Sequence, residues 1–231
     1  MFDVNAFAPP ALVLERRLAE LVAELKSYGI EGVLLSPLDP ADPSSSWTLN
    51  KALISATEDL SGCCTALAFE EGIQKSTISG DVKALRVYPP TTSLQLEHAA
   101  ELCERLGLPL IISLRVAWGN PSIAISDLQP IITGYSKLKL ILSGVNYTET
   151  RWLVSEVAEL PNVYVEISMY QQMEGVSLLA RRLGVERLLF GTAYPLQNPY
   201  VSILKLLFSG LSEAEIDRIA YKNALALFGI E

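Results

Sequence analysis

Histidine is almost missing from this chain: His98 is the only one in 231 residues. A metal centre built on several imidazoles is therefore excluded, because catalytic zinc takes about three protein ligands from His, Asp, Glu or Cys. Cysteine is nearly as scarce. Cys63 and Cys64 are adjacent and Cys103 is distant, so there is no CxxC knuckle and no even disulfide framework. Buried free thiols in a reducing compartment are the expectation. Basic residues are outnumbered 18 to 26, giving a formal charge of −8, and they are scattered. No concentrated basic face is available for phosphate backbones, which excludes nucleic acid as a partner. Long apolar runs are absent too. The stretch from Leu108 to Leu114 is broken by Pro109 and Ser113, well short of the roughly 20 residues that span a bilayer, so no membrane span is expected. Neither GxGxxG, GxxxxGK[ST] nor GxSxG occurs, which removes the phosphate-cradling turns and the serine nucleophile elbow. The first residues lack a basic segment followed by an apolar one, so a cytoplasmic location is expected.

What is present is an alternation. Half of the residues are hydrophobic, and they switch between short runs and longer amphipathic stretches, the mark of strands alternating with helices. The predicted strands are Phe2 to Phe7, Gly32 to Ser36, Cys63 to Phe69, Ala84 to Tyr88, Leu110 to Leu114, Leu138 to Ser143, Val163 to Ser168 and Arg187 to Gly191. Most are apolar on both parities, as strands covered on both faces must be. Helices fit Pro10 to Tyr28, where Leu14, Leu18, Leu21, Val22 and Leu25 fall at helical spacing, and also Trp47 to Asp59, Thr91 to Leu106, Ala124 to Tyr135, Thr148 to Leu160 and Tyr170 to Leu183. Asn198 to Ser209 and Ser212 to Phe228 follow the eighth strand, the second opened by a capping-box spacing, Ser212 to Glu215. Eight βα pairs without a composition break predict one domain over 1–231, a (β/α)8 TIM-type barrel in preference to an open doubly wound sheet.

In such a barrel chemistry belongs at the C-terminal ends of the strands. Arg86 and Tyr88 fall there on one side of strand four, Arg115 follows strand five, and Glu166 and Ser168 share a side of strand seven. A guanidinium beside a phenol suits a small carboxylate or other anionic metabolite, since Arg offers a rigid fork to planar anions. The structural alternative is an Arg86–Glu166 or Arg115–Glu166 ion pair filling the polar end. Glu166 is the candidate general base, provided burial lifts its pKa. Trp47 and Trp118 lie in loops that could line a pocket. His98 sits on the polar side of an outer helix and reads as a surface residue.

The segment Phe190-Gly191-Thr192-Ala193-Tyr194-Pro195 resembles the last strand and loop of the amidohydrolase-related metal-dependent hydrolases (amidohydrolase 2), and Lys222-Asn223-Ala224-Leu225-Ala226-Leu227-Phe228 is similar to their closing helix. Asp3-Val4-Asn5-Ala6-Phe7 resembles the opening Asp-x-His-x-His, Leu108 to Ser113 the fifth strand and Leu140 to Gly144 the sixth. The resemblance implies a barrel using one divalent metal, commonly zinc, to hydrolyse or decarboxylate small carboxylated or cyclic substrates. It also implies that Asn5, Phe7, Ser113, Ser143 and Ala193 stand where metal ligands would be. None of the five is a His, Asp, Glu or Cys, so no metal is expected.

Two functional readings follow, both hydrolase-like in lineage. In the first, a pseudoenzyme without its metal binds a small anionic metabolite or acts as an interaction protein, with Asn5, Ser113, Ser143, Ser168 and Trp47 joining Arg86, Tyr88 and Arg115 around the ligand. In the second, a metal-free hydrolase or lyase uses Glu166 as base and Arg86 or Arg115 to hold a carboxylate. A third option, a metal site rebuilt from Asp3, Glu166 and Cys63 or Cys64, requires ligands from different heights to converge. A second copy of the chain, in a homodimer, is the other partner considered.

Overall fold

The computed structural model describes residues 1–15, 17–73, 78, 82–117 and 122–230. Its strands are β1 (Phe2–Ala8), β2 (Gly32–Pro37), β3 (Cys63–Ala68), β4 (Val82–Val87), β5 (Leu110–Ser113), β6 (Leu140–Ser143), β7 (Val163–Glu166) and β8 (Leu188–Leu189), each within a few residues of its expected place. All pair in parallel and in chain order. β8 is too short to form a ladder with β1. The ring closes instead through backbone hydrogen bonds from Val4 to Phe190 (3.0 Å), Ala193 to Asn5 (2.8 Å) and Phe7 to Tyr194 (2.7 Å). The chain is a single (β/α)8 TIM-type barrel.

The helices are α1 (Pro10–Leu14), α2 (Leu18–Ser27), α3 (Asn50–Thr57), α4 (Ser93–Leu106), α5 (Ile125–Gly134), α6 (Thr150–Ser155), α7 (Gly175–Leu183), α8 (Pro199–Leu207), α9 (Glu213–Asp217) and α10 (Asn223–Phe228). Several expected helices needed correction: that over Trp47 to Asp59 is a 3-10 helix, Pro43–Leu49, followed by α3, and that over Thr148 to Leu160 is α6 flanked by 3-10 turns. The single helix expected over Pro10 to Tyr28 breaks between Leu14 and Leu18, where the Arg17 amide reaches back to the Leu12 carbonyl. The break rotates the apolar stripe, so Val13 is buried and Leu14 faces outward. The helix expected from Tyr170 begins only at Gly175, because Tyr170 and Gln172 are engaged with Thr150 across the preceding turn.

β1 carries the irregularity that shapes the lumen. Its register against β2 shifts between Asp3 and Ala6. Val4 accordingly packs in the apolar lumen with Leu34 and Ile111, while the next residue, Asn5, reaches the same interior through its side chain. A bulge of this kind lets two successive residues serve one face. At the N-terminal end the lumen is apolar: Phe2, Val4, Leu34, Cys64, Ala66, Ala84, Ile111, Ile141 and Leu189, closed from below by Leu227 and Phe228 of α10.

Candidate functional site

The opposite end of the lumen is polar and fully buried. Arg86 is completely enclosed, as is Glu166. The Arg86 guanidinium donates to Asn5 Oδ1 (2.7 Å), Ser113 Oγ (3.3 Å) and the Val4 carbonyl (3.3 Å). Its Nε has no partner. Asn5 Nδ2 in turn donates to Glu166 Oε2 (2.9 Å) and Ser168 Oγ (3.1 Å). Glu166 Oε2 also accepts from Ser143 Oγ (3.1 Å) and Ser168 Oγ (2.9 Å), and Oε1 accepts from the Ser168 amide. Asn5 thus bridges a guanidinium and a carboxylate that do not touch directly. The direct Arg86–Glu166 ion pair considered as the structural alternative is replaced by this relay.

Gly191 explains part of the motif in which it sits. A Cβ there would collide with a Glu166 carboxylate oxygen and lie 2.7 Å from Asn5 Cβ. Glycine is therefore what allows β8 to approach the relay so closely. Its neighbour Thr192 ties the seam, donating from its amide to Asp3 Oδ1 at 3.1 Å and from its hydroxyl to Asp3 Oδ2. Ala193 follows with φ 56°. That left-handed backbone favours glycine, asparagine or aspartate and strains an alanine.

Burial dominates the electrostatics. It pushes the Glu166 and Asp3 carboxyls above their ordinary values against the hydrogen bonds they accept, and it pulls Arg86 down against the attraction of Tyr88, Glu166 and Asp3. A fourth charge enters from α8. Lys205 donates to the Ile167 and Ser168 carbonyls (2.6 and 2.7 Å), and burial brings it down to about 8, with Glu166 opposing the shift. Two buried carboxyls, Asp3 and Glu166, thus face the buried Arg86 and the half-buried Lys205, which is how such groups are tolerated away from water.

The layer is covered from above. Phe7, Leu38, Ala68, Tyr88, Val116 and Ala193 form one buried apolar cluster. The Arg86 guanidinium lies 5.2 Å from the Phe7 ring centroid and 5.8 Å from that of Tyr88, within cation–π range. Tyr88 spends its hydroxyl on the Pro37 carbonyl at 2.6 Å. Phe7 and Ala193 thus belong to the cover, while Asn5, Ser113 and Ser143 belong to the relay beneath it.

The remaining predicted residues lie elsewhere. Arg115 is held in a fork by Glu149 (2.8 and 2.9 Å) and also donates to the Gly144 carbonyl, so its ion pair is with Glu149 and not Glu166. Burial works to raise Glu149, but bonds from Arg115, Thr148 and Asn146 outweigh it and leave the carboxyl low. Trp47 is 42% exposed on a short 3-10 helix, away from the relay. Trp118 lies outside the described residues. His98 pairs with Glu71 (3.1 Å) on the surface. Cys64 packs in the apolar layer at the other end, with Cys63 beside it in β3. Sequence reasoning missed Lys205, Glu149 and the role of Thr192. A lone lysine inside the apolar run Val201 to Phe208 was the signal for the first, and the Asn146-x-x-Glu149 cap spacing for the second.

The amidohydrolase family model matches residues 4–230. The chain belongs to the amidohydrolase family. No curated protein matches it. Among solved structures, it is similar to a Pseudomonas putida protein that carries the name of a 2-pyrone-4,6-dicarboxylic acid hydrolase, at 18% identity and TM-score 0.75 over 100% of this chain and 97% of that one. A Rhizobium 2,6-dihydroxybenzoate decarboxylase gives 14% identity and TM-score 0.72 over 99% and 98%. A dihydroxybenzoic acid decarboxylase from Polaromonas, solved with bound manganese, gives 12% and 0.67 over 99% and 96%.

The divalent metal that this family implies does not fit these residues. A dication wants anionic or imidazole donors with lone pairs free. Here the candidate positions hold an amide, a phenyl ring, two hydroxyls and a methyl. The Asn5 oxygen and the Ser113 hydroxyl already accept from a guanidinium. Among the described residues no group of three His, Cys, Asp or Glu side chains could hold a metal ion, so Asp3, Glu166 and the Cys63–Cys64 pair do not converge either.

Proposed function

We propose that this chain is a non-catalytic amidohydrolase-family barrel, a pseudoenzyme in which the Arg86 guanidinium takes the central cation's place and the fold serves as a structural or interaction module. One observation carries the reading: Arg86 spends its NH groups on Asn5 and Ser113, two of the five positions given up by the metal, under the Phe7–Tyr88 cover. A tethered cation supplies charge to the lumen but no open coordination position, so it cannot activate water as a metal does. The arginines are also poorly placed to capture an anionic metabolite. Arg86 is walled in, and at Arg115 a ligand would have to displace Glu149.

The test is metal content by inductively coupled plasma mass spectrometry on untagged protein, with and without zinc and manganese supplementation. The expected result is no stoichiometric metal and no change in melting temperature on adding either ion. One equivalent of retained metal per chain would overturn the proposal.

The second reading, a metal-free lyase or hydrolase with Glu166 as base, is favoured by the upward shift of that carboxyl. Against it stand the four hydrogen bonds that Glu166 already accepts and the apolar cover above Arg86. Release of carbon dioxide from a small aromatic carboxylate by the native chain, abolished in Glu166→Gln, would establish it in place of the first.

A further inference from the structure

Helix α8 is largely apolar on both of its faces. Its inward face, Pro199, Ser202, Ile203 and Leu206, carries Ser202, and the ammonium of Lys205 also points in, to the carbonyls following β7. Its outward face and the residue after it, Tyr200, Val201, Leu204, Leu207 and Phe208, are all apolar and 45–83% exposed. A helix apolar on both faces belongs in an interior or an interface, and a contiguous exposed patch marks a contact surface.

We infer that the outer face of α8 is a self-association surface and that its partner is a second copy of this chain. The spacing argues for a copy. Positions 200, 201, 204, 207 and 208 are symmetric about Leu204. Two such helices laid antiparallel across a twofold axis at Leu204 set Tyr200 against Phe208, Val201 against Leu207 and Leu204 against its own equivalent. That is the self-complementarity an isologous dimer requires. Charge agrees: each copy has a net charge of −8, yet the only ionic residue of α8, Lys205, is turned away, so nothing on the stripe repels. Tyr28 supports the edge of the stripe, its ring meeting Tyr200 edge-on at 4.9 Å. Five side chains at these exposures offer on the order of 500 Å² per copy, or about 1,000 Å² in total, which reaches the lower limit of a specific interface. This inference stands apart from the reading of the lumen, because none of these residues touches the Arg86–Glu166 relay.

The experiment is sedimentation equilibrium on the full chain at micromolar concentration, native and as Leu204→Glu, with circular dichroism on both. The native chain is expected to be dimeric, and Leu204→Glu, which sets two like charges on the axis, to weaken association by roughly 100-fold or more while keeping the native spectrum. Leu204→Cys gives a second readout: the two sulfurs meet across the axis and cross-link under mild oxidant, whereas Ser209→Cys does not. A monomeric native chain would overturn the proposal and leave the face to another protein or a lipid surface. A dimer unaffected by Leu204→Glu, or one in which Leu204→Cys fails to cross-link, would equally overturn it by placing the contact elsewhere.

Discussion

The two ends of the barrel lumen solve the same packing problem by opposite means. At the N-terminal end, Val4, Leu34, Ala66, Ala84, Ile111, Ile141 and Leu189 fill the space with hydrocarbon, and α10 seals it with Leu227 and Phe228. At the C-terminal end Asn5, Arg86, Ser113, Ser143, Glu166 and Ser168 are held by hydrogen bonds and sealed by Phe7 and Tyr88. The apolar end stabilises in proportion to area buried. The polar end must first offset the desolvation of its charges and stabilises only while every partner is present. The comparison teaches that one lumen can be filled by hydrocarbon at one end and by charges balanced internally through hydrogen bonds at the other.

The largest effect that would sharpen this contrast is at Arg86. Arg86→Met keeps the volume but leaves Asp3 and Glu166 without their central cation and Asn5 Oδ1 without its donor. Chemical denaturation should show a loss of ~3–5 kcal/mol, the cost of breaking a buried charge set. A loss below ~1 kcal/mol would show that the polar end behaves like the apolar one.

Next comes Glu166→Gln. The amide cannot accept at both oxygens, so a donor meets a donor at Ser168 N or Asn5 Nδ2, costing ~1–3 kcal/mol, with the fold retained. The pH dependence has a definite sign. Folding raises this carboxyl above its ordinary 4.5, so its contribution is fully present below pH 4.5 and is lost as pH rises through the folded value. The stability difference between native and variant should therefore shrink as pH is raised from 4.5. Gross unfolding of the variant would make Glu166 a structural keystone and remove it as a candidate base.

At the apolar end, Ile111→Val removes one methylene from the register partner of Arg86 and should cost ~0.5–1.5 kcal/mol, independent of pH. A pH-dependent difference would mean that the two layers are coupled. The smallest change is Ala193→Gly. It releases the left-handed strain at φ 56° but gives the unfolded chain more freedom, so stability should rise by no more than ~1 kcal/mol.

Most of the fold was legible because buried parallel strands announce themselves as short, doubly apolar runs, and eight of them alternating with amphipathic helices leave few topologies. The boundaries at Leu14 and Tyr170 were not, because they depend on a backbone reach to Leu12 and on side chains engaging Thr150, contacts between residues that no periodicity records. In the polar layer, strand alternation put Arg86, Ser113, Ser143, Glu166 and Ser168 at the strand ends from sequence alone, and the structure gathers them there. What fills the lumen was not readable. The bridging role of Asn5 depends on a register shift in β1, and the partner of Arg115 proved to be Glu149, 34 residues downstream in the turn after β6, instead of Glu166.

Lys205 links these levels. Its ammonium is fastened to the two carbonyls that follow β7, and its proton affinity lies at about 8. The helix that carries the exposed stripe is therefore anchored by a group that is partly protonated in ordinary buffers. An event on the outer face of α8 that moved this anchor into water would raise its proton affinity and take up hydrogen ions, and acidity would in turn feed back on that event. The heat of such a reaction would vary with the ionisation enthalpy of the buffer, which makes calorimetry in two buffers a direct window on the barrel interior from its surface.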